Sequence, residues 1–571
     1  MNNFFKSALC AVSALSMAVY SGMACTNVLV TKGASKDGSV FITYSADSHQ
    51  LYGELYYTPA GFFKPGTLLN INEWDSGKYL GQIAQKVGQT YQTVGNMNEH
   101  QLIITETTFG GRRELGDPDG IMDYGSLIYI TLQRAKTARE AIQTIVDLAN
   151  EYGYASSGES FSIADKNEVW IMELIGKGSK KDKKGRNVNK GIVWAAARVP
   201  DGYICAHANQ ARIHHIEFDD PENWLYAEDV VDFAREMGYF EGTDEEFSFC
   251  DAYAPIDFGG MRGCEARVWS AFNILGGGMI GDKKAEEYLD FAMGYNGENK
   301  MPLFIKPAEK IGLKEVADVM RDHYEGTPMD MTVDAGAGGH HSPYRWRPMY
   351  FEYDGKEYLN ERAIATQQTG FWIVCQSRSW LPDEIGGVLW FGVDDAATSC
   401  LTPVYTSVYD VPLCVKVGNG SLIEYSPTSL FWVTNRIANF AYMLYDRIEP
   451  EVRAVIDERE NAAVEMQGAV DAAALELLGE NPTEESIAAA RSFLTEYSLA
   501  AAQDLFDTWK ELDIYLLVKY MDGNIKKETG YGTFKSNGHS PRIPASPDQP
   551  GYSEKWKEAV AKDAGEVLEV K

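Results

Sequence analysis

The sequence predicts an α+β fold in which mostly antiparallel strands are followed by a long helical segment. Short strand-like runs separated by turns lie at 160–165, 168–174, 192–198 and 203–207. Helical periodicity occupies 126–152 and 286–295, and the composition shifts to helix from about residue 427. Hydrophobic residues make up 45% and aromatic residues 12% of the 571 positions, so a packed core is expected and wholesale disorder is excluded.

The C-terminal helices carry their own start and stop signals. Gly479 is placed to end one helix, and the sequence Asn-Pro-Thr-Glu at 481–484 predicts the start of the next, with Asn481 as its N-cap. Apolar residues at helical spacing follow, and we expect this helix to reach about Tyr520. The predicted organisation comprises a signal peptide at 1–24, a main α+β domain at 25–426, a helical extension at 427–525 and an extended tail with a short terminal helix at 526–571.

The charge balance excludes several partners. Lys and Arg total 52 against 82 Asp and Glu, which gives a formal net charge of −30. An acidic body of this kind repels nucleic acid and anionic membrane surfaces. Beyond the N-terminus no stretch reaches about 18 uncharged apolar residues, so no membrane span is expected.

The N-terminus has the pattern of a cleaved secretory signal. One positive charge within Met1–Lys6 precedes a long uncharged stretch, and Gly22 and Ala24 are the small residues expected before a cut after position 24. We therefore predict export to the periplasm or the extracellular space. Of the 8 cysteines, Cys10 leaves with the signal. An odd number remains, which suggests that one thiol is kept free in an oxidising compartment.

Cys25 stands directly after the predicted cut and allows two interpretations. A lipoprotein would acylate this cysteine, but Gly22 and Met23 fit poorly at the lipobox positions that precede Ala24. Ordinary cleavage would leave Cys25 as the first residue with a free α-amine, whose pKa of about 8 lets it accept the thiol proton. Lipidation would block that amine, so the two interpretations exclude each other.

A β-hairpin is predicted to begin at Cys25. The runs Cys25–Lys32 and Ser39–Tyr44 are strand-like, and the turn between them contains an Asp-Gly pair. An antiparallel return of the chain would bring Tyr44 and Asp47 back to the new N-terminus. The carboxylate of Asp47 would then be placed to hold the charged form of the α-amine.

Several sequence blocks together resemble a known family. The blocks are CTNVLVTKGASKDGS at 25–39, GNMNEHQL at 95–102, ETTFGGR at 106–112, RAKTAREA at 134–141, WAAARVPDG at 194–202, HANQARI at 207–213, HYEGT at 323–327 and LPDEIGGVLW at 381–390. In their order, and with the leading Cys25, they are similar to the peptidase family C69 dipeptidases. These are N-terminal nucleophile (Ntn) hydrolases related to choloylglycine hydrolases and penicillin V acylases. The likeness covers most of 25–415.

The resemblance implies a fold and a catalytic set. The fold is the four-layer αββα sandwich of the Ntn hydrolases, here with a C-terminal helical extension. Cys25 is the implied nucleophile. Asn98 and Asn209 take the positions of the family's active-site asparagines, whose amide N–H groups face an oxyanion or orient the nucleophile.

Two further positions concern substrate recognition. Arg267 matches a family arginine, with a structural salt bridge as the alternative role. Tyr44 stands where many relatives carry arginine in an R-N-E-D stretch, whereas Asp47 retains the aspartate. We therefore expect Asp47 to be catalytic and Arg267 and Tyr44 to bind substrate, by a mode of recognition that the sequence leaves open.

Three functions remain in competition. The leading prediction is a secreted cysteine-type Ntn hydrolase of amide bonds, most closely a dipeptidase acting on small peptides. An acylase of the choloylglycine hydrolase or penicillin V acylase type would use the same machinery. A lipid-anchored binding protein acylated at Cys25 is the alternative from a different class. No cofactor is expected, and a homo-oligomer is left open.

No metal site is predicted. His340 and His341 lie in the segment Gly336–Pro348, but adjacent residues rarely face one centre and no H-E-x-x-H or carboxylate spacing accompanies them. We interpret this segment as a flexible loop that borders the cleft. Cys250 and Cys264 are close enough in sequence to form a disulfide that closes a loop.

Overall fold

Two antiparallel β-sheets lie at the centre of the protein. The computed structural model describes residues 25–571, and the predicted signal peptide lies outside the described residues. In chain order, the strands of the two sheets are β1 (Asn27–Val30), β2 (Val40–Asp47), β3 (Tyr57–Thr58), β4 (Thr93–Val94), β5 (Met97–Asn98), β6 (Ile103–Gly110), β7 (Gly158–Ala164), β8 (Val169–Gly176), β9 (Ile192–Arg198), β10 (Ile204–His207), β11 (Trp224–Tyr226), β12 (Phe304–Ile305), β13 (Thr369–Ser377), β14 (Gly387–Val393) and β15 (Thr402–Tyr405).

Both sheets are antiparallel throughout. The first has the order β12-β10-β1-β2-β13-β14-β15, and the second has the order β11-β9-β8-β7-β6-β5-β4-β3. The predicted antiparallel strands are confirmed, because β7, β8, β9 and β10 coincide with the four predicted runs to within two residues at each end. Strands β2, β7 and β8 are buried along their whole length, which requires cover on both faces of each sheet.

The predicted N-terminal hairpin is also confirmed. Strands β1 and β2 pair with Leu29 opposite Ile42. A further bridge joins Thr26 to Ser45, where the Ser45 N–H donates to the Thr26 carbonyl at 3.3 Å. The end of β2 therefore lies beside Cys25, as the turn chemistry predicted.

A polar layer joins the two sheets. Strands β1 and β2 of the first sheet contact β6 of the second. Between them, the side-chain amide of Asn27 lies 2.7 Å from the Thr105 hydroxyl and 3.0 Å from the Ser162 hydroxyl. His207 in β10 bonds Thr107 through Nδ1 and Ser162 through Nε2, each at 2.7 Å. Burial lowers the pKa of His207 to about 3, so the ring is neutral and serves as a structural link.

Helices lie against both sheets. They are α1 (Tyr124–Leu132), α2 (Ala138–Tyr152), α3 (Val230–Glu236), α4 (Phe249–Tyr253), α5 (Ala266–Leu275), α6 (Leu289–Ala292), α7 (Leu313–Met320), α8 (Asp383–Gly386), α9 (Leu430–Met443), α10 (Tyr445–Leu478), α11 (Glu484–Tyr520) and α12 (Glu554–Ala564). Helices α1 to α3 contact the second sheet, whereas α5 and α7 to α11 contact the first. The mixed α+β character predicted from the sequence is confirmed.

Two helix predictions need correction in the N-terminal part. The helix predicted at 126–152 is two helices, because Thr137 caps α2 in a reciprocal capping box with Glu140 and interrupts the apparent periodicity. The segment predicted as a helix at 286–295 holds only a 3₁₀ turn at Ala285–Tyr288 and the single turn of α6. Both errors arise because the spacing of apolar residues can continue across a short interruption of the helix.

The C-terminal helices follow the prediction more closely. Gly479 ends α10 with φ of 73°, and its N–H bonds the Leu475 carbonyl at 3.0 Å. The predicted N-cap at Asn481 is wrong: the Thr483 hydroxyl caps α11 by accepting from the Ser486 N–H at 3.2 Å. The helix starts two residues later because Thr483 reaches a free amide of its first turn. Across 25–571 no helix is long and apolar enough to cross a membrane.

Candidate active site

Cys25 lies at the meeting point of the two sheets and is fully buried. Its Sγ atom is 3.6 Å from Oε1 of Glu106 in β6 and 3.9 Å from the Tyr44 hydroxyl in β2. Burial raises the pKa of the Cys25 thiol well above its usual range, and the carboxylates of Glu106 and Asp47 raise it further. The Asp47 main-chain N–H opposes this rise. The resting sulfur is therefore a thiol, and its attack on a carbonyl needs a base.

Asp47 is brought to Cys25 by the hairpin, but its carboxylate is occupied by other partners. The carboxylate accepts from the Arg362 guanidinium, from the Thr369 hydroxyl at 2.7 Å and from the Ser45 hydroxyl at 3.1 Å. Burial raises the pKa of Asp47, and Arg362 offsets part of that rise. The main chain of Asp47 faces the thiol while its side chain fixes the end of β2 to β13.

Arg267 connects the predicted nucleophile to the predicted oxyanion donor. It lies in the first turn of α5 and is 1% exposed. All five of its N–H groups have acceptors: the carbonyls of Gly263 at 2.8 Å, Cys25 at 2.6 Å and Ala208 at 3.1 Å, the Thr26 hydroxyl at 2.9 Å and Oδ1 of Asn209 at 2.9 Å. One side chain therefore sets the position of Cys25 relative to Asn209.

Asn209 follows β10 in a left-handed conformation, with φ of 59°. Its side-chain amide donates to the Thr108 carbonyl at 2.8 Å, while its oxygen accepts from Arg267. Glu173 in β8 fixes the next residues by accepting the main-chain N–H groups of Arg212 at 2.5 Å and Ile213 at 3.1 Å. The left-handed backbone of Asn209 is thus fixed by β10 before it and by the hydrogen bonds to Glu173 after it.

Asn98 has a different environment. Its side-chain N–H groups donate to the carbonyls of Leu132 at 2.7 Å and Ala135 at 2.8 Å. Its oxygen accepts from the N–H groups of His100 at 2.9 Å and Leu102 at 3.1 Å. The first two bonds tie the turn after β5 to the end of α1, the other two close the turn itself, and none of the four involves Cys25. An oxyanion role for Asn98 stays a prediction that would require it to exchange these partners.

A buried pair of carboxyl groups beside Cys25 was missed by the sequence reasoning. The Tyr44 hydroxyl donates to Oε1 of Glu106 at 2.8 Å, and the Thr108 hydroxyl donates to Oε2 of Glu159 at 3.1 Å. Burial raises the pKa of both carboxyl groups, and their repulsion raises that of Glu159 further. An acidic residue inside the strand IITETTFG was the available signal, although that block served only to mark the resemblance.

The predicted histidine loop holds no shared centre. Nδ1 of His340 lies 3.3 Å from the Asp446 carboxylate in α10, whereas Nδ1 of His341 lies 2.8 Å from the Thr332 carbonyl. The two rings therefore have separate partners. A cavity of about 470 Å³ lies beside His341, between α7 and the start of α10, and Cys25 does not line it.

Other cysteines have different surroundings. All seven cysteines within 25–571 are free thiols, and so the disulfide considered between Cys250 and Cys264 is absent. Sγ of Cys250 instead lies 2.8 Å from Nδ1 of His214. Together with Asp251, these two form the one described group with the spacing of metal ligands. Asp251 already pairs with Lys300 at 2.5 Å, and this group is separate from Cys25.

Comparison with known proteins identifies the family. The model of peptidase family C69 matches residues 56–458, which is more than half of the chain. The chain therefore belongs to peptidase family C69 and is a hydrolase. The matched segment begins after Cys25 and therefore does not include the predicted nucleophile.

The relatives that the chain resembles carry consistent names. A probable dipeptidase of Latilactobacillus sakei is 25% identical over 410 residues, which cover 68% of this chain and 75% of the relative. A probable dipeptidase A of Streptococcus pyogenes serotype M3 is 24% identical over 480 residues, 79% of this chain and 90% of the relative. Dipeptidase A of Lactobacillus helveticus is 22% identical over 461 residues, 74% and 84% of the two chains.

Proposed function

We propose that this peptidase is a cysteine-type Ntn dipeptidase in which Cys25 is the nucleophile. One observation carries the proposal: the Arg267 guanidinium binds the carbonyl of Cys25 and the side chain of Asn209 together. A nucleophile and an oxyanion donor must be held in fixed geometry for covalent catalysis. The names of the relatives support a dipeptidase in particular.

The arrangement of the elements supports the Ntn fold. Helices α1 and α2 contact the second sheet, the two sheets contact each other through β2 and β6, and α5 and α7 contact the first sheet. Full burial of β2, β7 and β8 fits sheets that are covered on both faces. We infer from this order the four-layer αββα sandwich of the Ntn hydrolases.

The reaction follows from a free α-amine on Cys25. The amine takes the thiol proton, and the sulfur attacks the carbonyl carbon of the scissile amide. The amide N–H of Asn209 stabilises the oxyanion of the tetrahedral intermediate. The protonated amine then gives its proton to the departing nitrogen, which leaves as a free amine. Water hydrolyses the thioester, and this releases the carboxylic acid and restores the thiol.

Positioning residues support these steps. Arg267 orients Cys25 and Asn209, and its N–H groups are all taken by protein acceptors. The Asp47 carboxylate, compensated by Arg362, fixes the strand end whose N–H faces the sulfur. We therefore assign both residues to positioning rather than to direct substrate contact.

Processing of the chain is part of the proposal. Cleavage after Ala24 would expose the amine, which fits an exported protein of the periplasm or the extracellular space. Family membership and the ordered surroundings of Cys25 favour a hydrolase over a lipid-anchored binding protein. The mature protein is expected to begin at Cys25 with an unmodified amine, and intact mass of the exported protein tests this directly.

The decisive experiment separates the amine from the thiol. A cytosolic form that retains Ala24 before Cys25 keeps the thiol but converts its base into an amide nitrogen, so it should be inactive on dipeptides. Removal of Ala24 by a trimming protease should restore activity, and the Cys25→Ala form should stay inactive after the same treatment. Full activity with Ala24 still attached, verified by mass, would refute the Ntn mechanism.

A further inference from the structure

The buried carboxyl pair Glu106–Glu159 needs an explanation beyond the chemistry of the thiol. Both residues are fully buried. In the antiparallel pairing of β6 and β7, Glu106 lies opposite Phe161 and Glu159 lies opposite Thr108, which puts both carboxyl groups on the same face at diagonal positions. Oε1 of Glu106 is 3.6 Å from Sγ of Cys25.

The pair lacks a cation of its own. Across residues 25–571, neither carboxyl group takes part in an ion pair. Glu106 accepts from the Tyr44 hydroxyl and the Cys25 thiol, and Glu159 accepts from the Thr108 hydroxyl. The remaining oxygens, Oε2 of Glu106 and Oε1 of Glu159, receive no bond from a described donor. These two groups bond each other when they share one proton, which burial favours. An uncompensated buried charge of this kind is costly and is usually kept for function.

The negative charge of the carboxyl pair also opposes ionisation of the Cys25 thiol. Glu106 raises the pKa of the Cys25 thiol, and a carboxylate beside the sulfur disfavours the attacking thiolate. A cation that arrives with the substrate would remove this penalty. The site is therefore suited to a substrate with a positive charge next to its scissile carbonyl.

We propose that Glu106 and Glu159 form the subsite for the free α-ammonium group of a dipeptide substrate, an inference that rests on the proposed role of Cys25. In a dipeptide the amino nitrogen lies about 2.5 Å from the scissile carbonyl carbon, because one Cα separates them. A sulfur poised about 3–3.5 Å from that carbon leaves the ammonium within reach of a carboxylate that itself neighbours the sulfur. The ammonium replaces the shared proton and donates to the two remaining oxygens.

This subsite distinguishes two candidate substrate classes. A dipeptide carries an ammonium group at the required position, whereas the acyl part of an acyl amide carries no positive charge there. Such an acyl group would leave the carboxyl pair buried and uncompensated. The geometry thus favours dipeptides over the acyl amides cleaved by acylases.

The test compares a dipeptide with its desamino analogue. The best dipeptide from a panel and the same molecule with hydrogen in place of the α-amino group are assayed with the mature wild-type enzyme, Glu106→Gln, Glu159→Gln and the control Asp513→Asn. Asp513 is a buried carboxylate in α11 that pairs with Arg436, away from Cys25. The measured quantity is the ratio of kcat/KM for the dipeptide to kcat/KM for the analogue.

The wild type and the control are expected to share a ratio of about 10–100, the value of a charge-assisted hydrogen bond, and Glu106→Gln should reduce it towards one. Glu159→Gln should also reduce the ratio. A wild-type ratio near one, or an unchanged ratio in both glutamine variants, would overturn the subsite even if dipeptides are hydrolysed. Glutamine keeps the shape of the side chain and can still accept from Tyr44, so folding is retained.

A binding measurement keeps this outcome separate from failure of the proposed function. In the Cys25→Ala background, calorimetry should show the dipeptide bound about 10–100-fold more tightly than its desamino analogue. Adding Glu106→Gln should remove that difference. If turnover fails but binding keeps this preference, the catalytic proposal is wrong and the ammonium subsite stands; equal binding of both ligands would overturn the subsite alone.

Discussion

Replacement of Arg267 by lysine should separate the positioning of the site from its stability. A lysine side chain is shorter and its ammonium group has three N–H donors, whereas the five N–H groups of Arg267 donate to five acceptors. At least two buried acceptors lose their partner. At about 1–3 kcal/mol for each, the free energy of unfolding should fall by about 2–6 kcal/mol.

The catalytic effect should exceed what this loss of stability explains. Without Arg267, the side chain of Asn209 is no longer held relative to Cys25, and loss of an oxyanion donor costs about 10²–10³ in kcat. KM should change less, because Arg267 has no N–H group left to bind substrate. Urea unfolding followed by circular dichroism gives the stability, and dipeptide hydrolysis at a temperature where all variants are folded gives kcat and KM.

Arg378→Lys is the matched control. Arg378 is also buried and binds the carbonyls of Gly386 at 3.1 Å and Ile385 at 2.7 Å together with the Asp471 carboxylate, but it lies at the end of β13 against α10. Its three acceptors equal the three N–H donors of a lysine, so this variant should lose less stability than Arg267→Lys and keep its kcat. Equal kcat values for the two lysine variants would refute the positioning role of Arg267.

Three further outcomes are expected. Cys25→Ala should abolish turnover at a melting temperature close to that of the wild type, and residual turnover would place the nucleophile elsewhere. Asn209→Ala should lower kcat by about 10²–10³, whereas Asn98→Ala removes four bonds of a turn and should lower the melting temperature more than kcat; the reverse pattern would return the oxyanion role to Asn98. Burial raises the pKa of Glu173 from 4.5 to about 7, so the folded state binds a proton that the unfolded state has already released. The free energy of unfolding should therefore fall by about 3 kcal/mol as pH rises from 4.5 to about 7. Urea unfolding of Glu173→Gln should depend less on pH over this range than that of the wild type, and an equal pH dependence would contradict the shift.

The sequence was most informative about local structure. Strand-like runs separated by turns predicted β7 to β10, and the turn chemistry after Cys25 predicted the hairpin that brings Asp47 back to it. Strands and tight turns depend on residues that are close together in the sequence, so the sequence alone is sufficient to predict them. The same local reasoning wrongly predicted α1 and α2 as one helix and placed the N-cap of α11 two residues too early. Both errors concern helix caps, whose position depends on which side chain reaches a free amide of the first turn.

The electrostatics of the site were decided only by the tertiary structure. The cation that compensates Asp47 is Arg362, 315 positions further along the chain, and no local pattern connects them. Glu106 and Glu159 look like ordinary strand residues until β6 and β7 pair and the first sheet removes water from them. By itself, the sequence determined the nucleophile candidate and the strand that returns to it. Packing determined which charges are buried without a partner, because desolvation depends on what surrounds a group in space and not on its neighbours in the chain.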